Sequence, residues 1–127
     1  MSDRFWITCG SILAALGVAA GAIGAHLLER RLSGDQLVDF EIAVRYQMVH
    51  AIGLILVGLA NRGGIRARFA GWAFLVGILA FSGGLYGWIF AKHRYLVHVI
   101  PFGGAAFIAG WLCLAFSAWR SGRTALD

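Results

Sequence analysis

The chain has 127 residues, of which 60% are hydrophobic and 13% charged, against about 45–50% apolar and 25% charged in soluble domains, so an ordinary water-soluble domain is excluded. One membrane crossing takes roughly 20 apolar residues, which leaves room for four spans with short connections and none for a separate soluble domain. The net charge of +5 comes from eleven bases and six acids; the bases lie between apolar runs, the pattern of membrane-flanking charge and not of a nucleic-acid footprint.

The predicted fold is all-α: an integral membrane four-helix bundle with an amphipathic interfacial extension before span two, forming a single membrane domain over residues 1–127. Span one covers residues 5–27. It follows Arg4 and carries no charge before His26; its run is too long for a signal peptide, so a retained helix is expected. Gly17 and Gly21 form a GxxxG pair suited to close helix packing. Cys9 lies in this span and Cys113 in span four, without CxxC spacing, so neither a disulfide framework nor a zinc site is suggested.

The LSGD turn at 32–35 offers Ser33 or Asp35 as a cap for the next helix. Leu37, Phe40, Val44, Met48 and Ala51 then recur at steps of three and four, with Asp35, Gln36 and Asp39 largely off that stripe. The first two turns are expected at the membrane surface or against the bundle, with span two at 43–60 and Arg45 and His50 near the headgroups. Residues 61–68 make a basic turn. Span three, 69–91, holds a second GxxxG pair, Gly83 with Gly87, and places Trp72 and Trp88 towards its ends.

Lys92, His93 and Arg94 form a short turn. Pro101 disfavours helical geometry at Ile100 and suits a first helical position, so span four is predicted at 101–119, preceded by a non-helical strap over 95–100. Gly103 and Gly110 favour close packing there.

Four spans put the N-terminus, the 61–68 turn and the C-terminal tail on one side, with six Lys or Arg residues against five on the other. The positive-inside rule then favours cytoplasmic termini. His26, His50, His93 and His98 are expected on the opposite side, with Glu29, Glu41 and Arg45. Glu41 and Arg45 stand i to i+4 in the better orientation for a helix pair. An ionisable residue near lipid is normally paired and turned inward, so this pair is expected to fix the amphipathic helix to the bundle.

His26, Glu29, Glu41 and His50 permit a carboxylate and histidine metal site, but a second ExxH and the usual four carboxylates are lacking. Haem ligation by histidines of two spans is weighed in the same way, and their place near helix ends favours ordinary hydrogen bonding. No metal or other cofactor is expected. No Walker loop, GxSxG elbow, HExxH or dinucleotide fingerprint occurs, and no catalytic residue is assigned.

Four blocks, GAIGAH at 21–26, LSGDQLVDFEIAVRYQMVHA at 32–51, FSGGLY at 81–86 and PFGGAAFIAGW at 101–111, together resemble the small inner-membrane proteins of the bacterial domain-of-unknown-function family 423, which has mitochondrial relatives. The likeness covers nearly the whole chain. It implies a bacterial inner-membrane protein of about four helices, with no assigned activity and no established cofactor. The family's polar signature would fall on His26, Glu41, Arg45, Tyr46, Gln47 and His50, and its late motif on Ser82, Tyr86, Pro101, Gly103 and Gly104. Two positions depart from the family pattern: relatives usually have Ser at Gly84 and Thr at Ile100.

The first functional reading is a non-enzymatic structural or accessory component of the bilayer, acting by self-association or by binding another membrane protein. The alternative is a binder of a small membrane-soluble ligand, a lipid or quinone, in a pocket lined by Arg45, Tyr46, Gln47, His50 and His98. Apart from lipids and such a protein partner no other partner is expected, and nucleic acid is not. The candidate polar cluster is His26, Glu29, Glu41, Arg45, Tyr46, Gln47, His50 and His98, and in the first reading Glu41, Arg45, His26 and His50 complete one another within it as a buried clamp.

Overall fold

The computed structural model of the chain describes residues 2–124. Its elements are α1 (Asp3–Ile23) with a π-helical turn at Gly24–Leu28, α2 (Gly34–Arg62), α3 (Arg68–Gly77) joined through a second π-helical turn at Ile78–Ser82 to α4 (Gly83–Ala91), and α5 (Leu96–Thr124). Four of the resulting rods are long and apolar enough to cross a membrane: Asp3–Leu28, Gly34–Arg62, Arg68–Ala91 and Leu96–Arg123.

Helix α2 starts at a full capping box. The Ser33 hydroxyl accepts from the Gln36 backbone N–H at 3.3 Å, and the Ser33 N–H donates to Gln36 Oε1 at 3.1 Å. The helix then continues unbroken through the expected surface turns into the span. It ends at Gly63 and Gly64, the latter at φ +87°, where glycine adopts the left-handed region without steric penalty. The Asn61 side chain accepts from the Ala67 N–H at 2.9 Å and closes the turn into α3.

Two stripes on α2 organise the bundle. The predicted one faces α1, and each of four members meets a glycine there: Phe40 against Gly24, Val44 against Gly21, Met48 against Gly17 and Ala51 against Gly10. The second consists of the buried residues Phe40, Ala43, Gln47, His50, Leu54 and Val57, spaced alternately three and four apart, a coiled-coil seam. Side chains of this seam meet α3, α4 and α5. The main core joins Leu54 and Val57 to Trp6, Ala67, Ala70, Phe74, Ile78 and Phe107. Backbone packing runs α1 on α2, α2 on α3 and α4, and α5 on α3, the second π turn and α4.

The strap expected over 95–100 is not formed. Lys92 ends α4 at φ 53°, and the N–H groups of Leu96, Val97 and His98 donate to the carbonyls of His93, Arg94 and Tyr95 at 3.1–3.3 Å. This winding leads directly into α5, which keeps Pro101 inside it. Lipid offers no hydrogen bonds. A six-residue strap would need many external partners, whereas the continuous helix forgoes only the bond from position 101 to the Val97 carbonyl.

The packing glycines also sort differently from expectation. Gly83 is exposed, and a Cβ there would meet nothing closer than its own Ile78 carbonyl at 3.8 Å. Gly17, Gly87, Gly103 and Gly110 do lie under neighbouring side chains or backbone. The tightest backbone approach of α1 to α2 is at Gly10 and Gly58, neither of which belongs to a GxxxG pair. A Cβ on Gly10 would fall 2.5 Å from the Ala51 carbonyl oxygen and 3.1 Å from the Ile55 nitrogen, and one on Gly58 would fall 2.8 Å from the Asp3 carbonyl oxygen.

Because backbone atoms cannot move aside as a flexible side chain does, Gly10→Ala should lower stability in detergent by about 1–3 kcal/mol. Gly83→Ala should stay within about 0.5 kcal/mol of the parent. Thermal unfolding followed by tryptophan fluorescence separates the two, and equal effects would contradict the packing described.

Candidate functional site

The polar chemistry of the bundle lies on the seam of α2. His50 stands near the midpoint of this 29-residue helix, level with the part of α1 between Gly10 and Gly17. It is therefore at mid-depth of the bundle, and the expectation of a place near the headgroups is corrected. The cause is the length of α2, which includes the interfacial turns as well as the span.

The hydrogen bonds of His50 define its tautomer. Trp111 Nε1, which is only a donor, points at His50 Nε2 at 3.1 Å, and Nδ1 lies 2.7 Å from the Tyr46 carbonyl, which is only an acceptor. Nδ1 therefore carries the proton and donates it, while Nε2 accepts. The ring also stacks on Phe107, with centroids 3.4 Å apart and planes 10° from parallel. Both nitrogens are committed, so a metal or haem iron could reach this histidine only by displacing one of these partners.

Gln47 is equally satisfied. Its Nε2 donates to the Leu13 carbonyl of α1 at 2.8 Å, and its Oε1 accepts from the Tyr86 hydroxyl of α4 at 2.9 Å. A Cβ on Gly17 would sit 3.5 Å from Gln47 Nε2 and closer still to Met48 Sδ, so the glycine leaves room for both side chains. Ser82, fully buried at the end of the second π turn, donates to the Ala43 carbonyl at 2.7 Å. Thus α2 is tied to α1, α4, α5 and the π turn by side chains, two of which bond main-chain carbonyls. Ser82 and Tyr86 belong to the late motif; Trp111, the partner of His50, was not singled out by the sequence reading.

The expected clamp is not assembled. His26, Glu29, Glu41, Arg45 and His98 are exposed, and among the described residues no group of three or more His, Cys, Asp or Glu lies close enough to hold a metal ion. No ion pair joins Glu41 to Arg45 among the described residues. Both stand on the outer face of α2, away from the seam through Ala43, Gln47 and His50.

What the structure does bring together is a lateral groove of about 570 Å³ between α2 and α5, lined by Arg45, Tyr46, Val49, His50, Phe81, Gly104, Phe107, Ile108 and Trp111. Arg45, Tyr46 and His50 of the anticipated pocket are in it; Gln47 turns to α1 and α4, and His98 is not part of it. Its wall is aromatic: Tyr46 lies 4.7 Å from Phe81 and 6.0 Å from Phe107, centroid to centroid. Arg45 is five residues from His50, about one and a half turns or 8 Å along the axis, and is the groove's single charged side chain.

Gly84 and Ile100 lie against each other: a Cβ on Gly84 would lie 2.9 Å from Ile100 Cγ1.

Tyr86→Phe removes the donor to Gln47 Oε1 and should destabilise the protein by about 1 kcal/mol, the scale of side-chain hydrogen bonds inside membranes. A double-mutant cycle of Glu41→Ala and Arg45→Ala should give a coupling within about 0.3 kcal/mol of zero. Unfolding titrations of the purified protein read both, and a Glu41–Arg45 coupling above about 1 kcal/mol would restore the clamp.

The family model described as "Protein of unknown function (DUF423)" matches residues 20–104. The chain is 39% identical over 118 residues to a UPF0382 membrane protein of Staphylococcus haemolyticus, covering 92% of this chain and 97% of that one. It is 38% identical over 118 residues to the UPF0382 membrane protein YwdK of Bacillus subtilis, covering 91% and 96%, and 38% identical over 105 residues to a UPF0382 membrane protein of Haemophilus influenzae, covering 82% and 85%. No solved structure matches the chain. With four helices apolar enough to span a bilayer and relatives that are bacterial membrane proteins, the chain belongs to the DUF423 family of multi-pass membrane proteins, to which no activity is assigned.

Proposed function

We propose that the protein is a non-enzymatic binder of a small amphipathic, membrane-soluble ligand, held in the groove between α2 and α5. The observation that carries this reading is Arg45: an exposed cation on a membrane-spanning helix, without an acidic partner among the described residues, opening into an aromatic groove. Ionisable side chains in spans normally pair or line a cavity. A ligand with an anionic or hydrogen-bond-accepting head meets the guanidinium, and its planar or acyl body lies on Tyr46, Phe81 and Phe107. A quinone or a lipid has that form. The volume is in the usual range for small-ligand sites, about 300–1,000 Å³. The buried polar groups Gln47, His50 and Ser82 are all engaged with protein partners, which supports binding over catalysis.

A second reading, an accessory role by self-association or with a membrane-protein partner, rests on α1. Only 11% of the apolar window of its span is buried, and Ser11, Ala15, Ala19 and Ala22 turn outward, the kind of small-residue surface on which membrane helices pack. Crosslinking in native membranes should trap pairs through cysteines placed at Ala15 or Ala19; monomer alone would count against this role. The membrane in either case is the bacterial inner membrane, with both termini cytoplasmic on the count of six bases against five. Reporter fusions at the C-terminus should be active only in their cytoplasmic form.

For the groove, the protein is purified in mild detergent and its bound lipids and quinones are extracted and weighed by mass spectrometry. One species should be retained by the parent and by Arg45→Lys. It should fall about tenfold in Arg45→Ala, which removes the charge, and in Gly104→Leu, which fills a place where a Cβ meets only Phe81 at 3.9 Å. Equal recovery from parent and both loss variants would overturn the proposal.

A further inference from the structure

We infer that a second recess, at the opposite end of α5, is a headgroup site for an anionic phospholipid. It is independent of the groove beside Arg45 and shares no lining residue with it.

The recess has a volume of about 670 Å³ and lies where the 61–68 turn and the start of α3 meet the last turns of α5. Arg66 and Arg120 stand at its mouth, Phe69 and Phe116 form apolar walls, and Cys113 lies at the bilayer end. From Arg120 to Cys113 the helix descends about 10 Å. A charged mouth over an apolar wall of that depth matches a phosphate with its glycerol and the first carbons of the acyl chains.

The electrostatics agree with the shape. Among the described residues no acidic one lines the recess. Asp3 lines a neighbouring depression with Arg68, which shares Gly64, Arg66 and Phe69 with the recess. Arg120 lies 5.7 Å over the Phe116 ring; a cation–π contact of this kind leaves the guanidinium N–H groups available to an oxyanion while orienting them at the mouth. Arg66 makes no hydrogen bond or ion pair among the described residues.

The volume selects between sources of phosphate. A free phosphate would use only the mouth, and the remaining apolar surface would have no occupant. A phospholipid occupies both. A zwitterionic phosphatidylcholine carries its own cation beside the phosphate and sets it against two arginines, so the site discriminates in favour of phosphatidylglycerol or another lipid with net negative charge.

The test uses the full chain reconstituted in vesicles of phosphatidylcholine and phosphatidylglycerol, extracted in mild detergent and examined by native mass spectrometry for retained lipid. Phosphatidylglycerol should be enriched over phosphatidylcholine on the parent. It should fall roughly thirtyfold in the Arg66→Ala, Arg120→Ala double variant, if each arginine acts as a surface basic residue does on anionic lipid. The Arg30→Ala, Arg31→Ala double variant makes the same change of charge on exposed residues at the other end of the bundle and should leave retention unchanged. Cys113→Trp keeps both arginines and obstructs the apolar end, and it should also lose the lipid. Equal loss in the Arg30 and Arg31 control, retention in Cys113→Trp, or displacement by millimolar inorganic phosphate would each overturn the assignment; the first would reduce it to net charge and the last to a free-anion site.

Discussion

The ring of Phe74 sets the spacing on which the rest of the bundle depends. A Cβ on Gly53 of α2 would come within 3.0 Å of it, and one on Gly110 of α5 within 2.6 Å. The ring is fully buried and thus acts as a spacer seated on a glycine from either side. Spans cannot rely on the hydrophobic effect to pull them together, because lipid tails are as apolar as leucine; they associate through close packing and hydrogen bonds. A rigid ring between two glycines supplies packing without crowding, and it holds the backbones of α2 and α5 apart. Above it, His50, Phe107 and Trp111 close the gap with side chains alone, Trp111 lying 4.7 Å from Phe74 between centroids. The groove beside Arg45 is the part of the same gap that they do not fill.

The second constraint is that a polar group in the hydrocarbon must find its partner within the protein. Gln47 and His50 occupy seam positions that leucine or valine could fill, yet each donates to a backbone carbonyl and accepts from a side chain on another helix. Such bonds specify register, since sliding α2 by one turn against α1 would break the bond of Gln47 to Leu13, and against α4 the bond from Tyr86. Arg45 differs because it lies off the seam. Its side chain can reach towards the interface or into the groove, as long basic side chains do, and that freedom is what makes it available to an occupant.

The number and extent of the helices were largely legible. Apolar runs gave four spans, and the turn at 32–35 marked the start of α2 with Ser33 or Asp35 as its cap, of which the structure uses Ser33 with Gln36. The apolar stripe through Leu37, Phe40, Val44, Met48 and Ala51 was legible, and the structure sets its last four members against glycines of the first span. The neighbouring seam was hidden because two of its members are polar: a search for apolar periodicity skips Gln47 and His50, although their spacing from Ala43 and Leu54 is the signal. The strap was misread because the steric bias before proline is outweighed here: a strap in the hydrocarbon would leave several backbone groups without partners, whereas the helix through Pro101 gives up one bond. The clamp was misread because sequence distance says nothing of helix rotation, and Glu41 with Arg45 fall on the outer face. Bonds joining Gln47 to partners 34 and 39 residues away could not be read from local pattern at all.

The position of α5 connects these points. Its apolar window is 17% buried against 44% for α2, so it is a peripheral rod, held by Phe81 under Gly103, by Phe107 under His50 and by the packing of Ile100 on Gly84. The groove and the basic recess both have α5 as one wall. An occupant of the groove must lie outside the His50 and Phe107 stack, because those rings are already at van der Waals distance and cannot admit a third between them. It therefore extends the aromatic contact from Tyr46 towards Ile108 without separating α5 from the core. The geometry favours a flat or flexible ligand laid along the helices over a bulky one inserted between them.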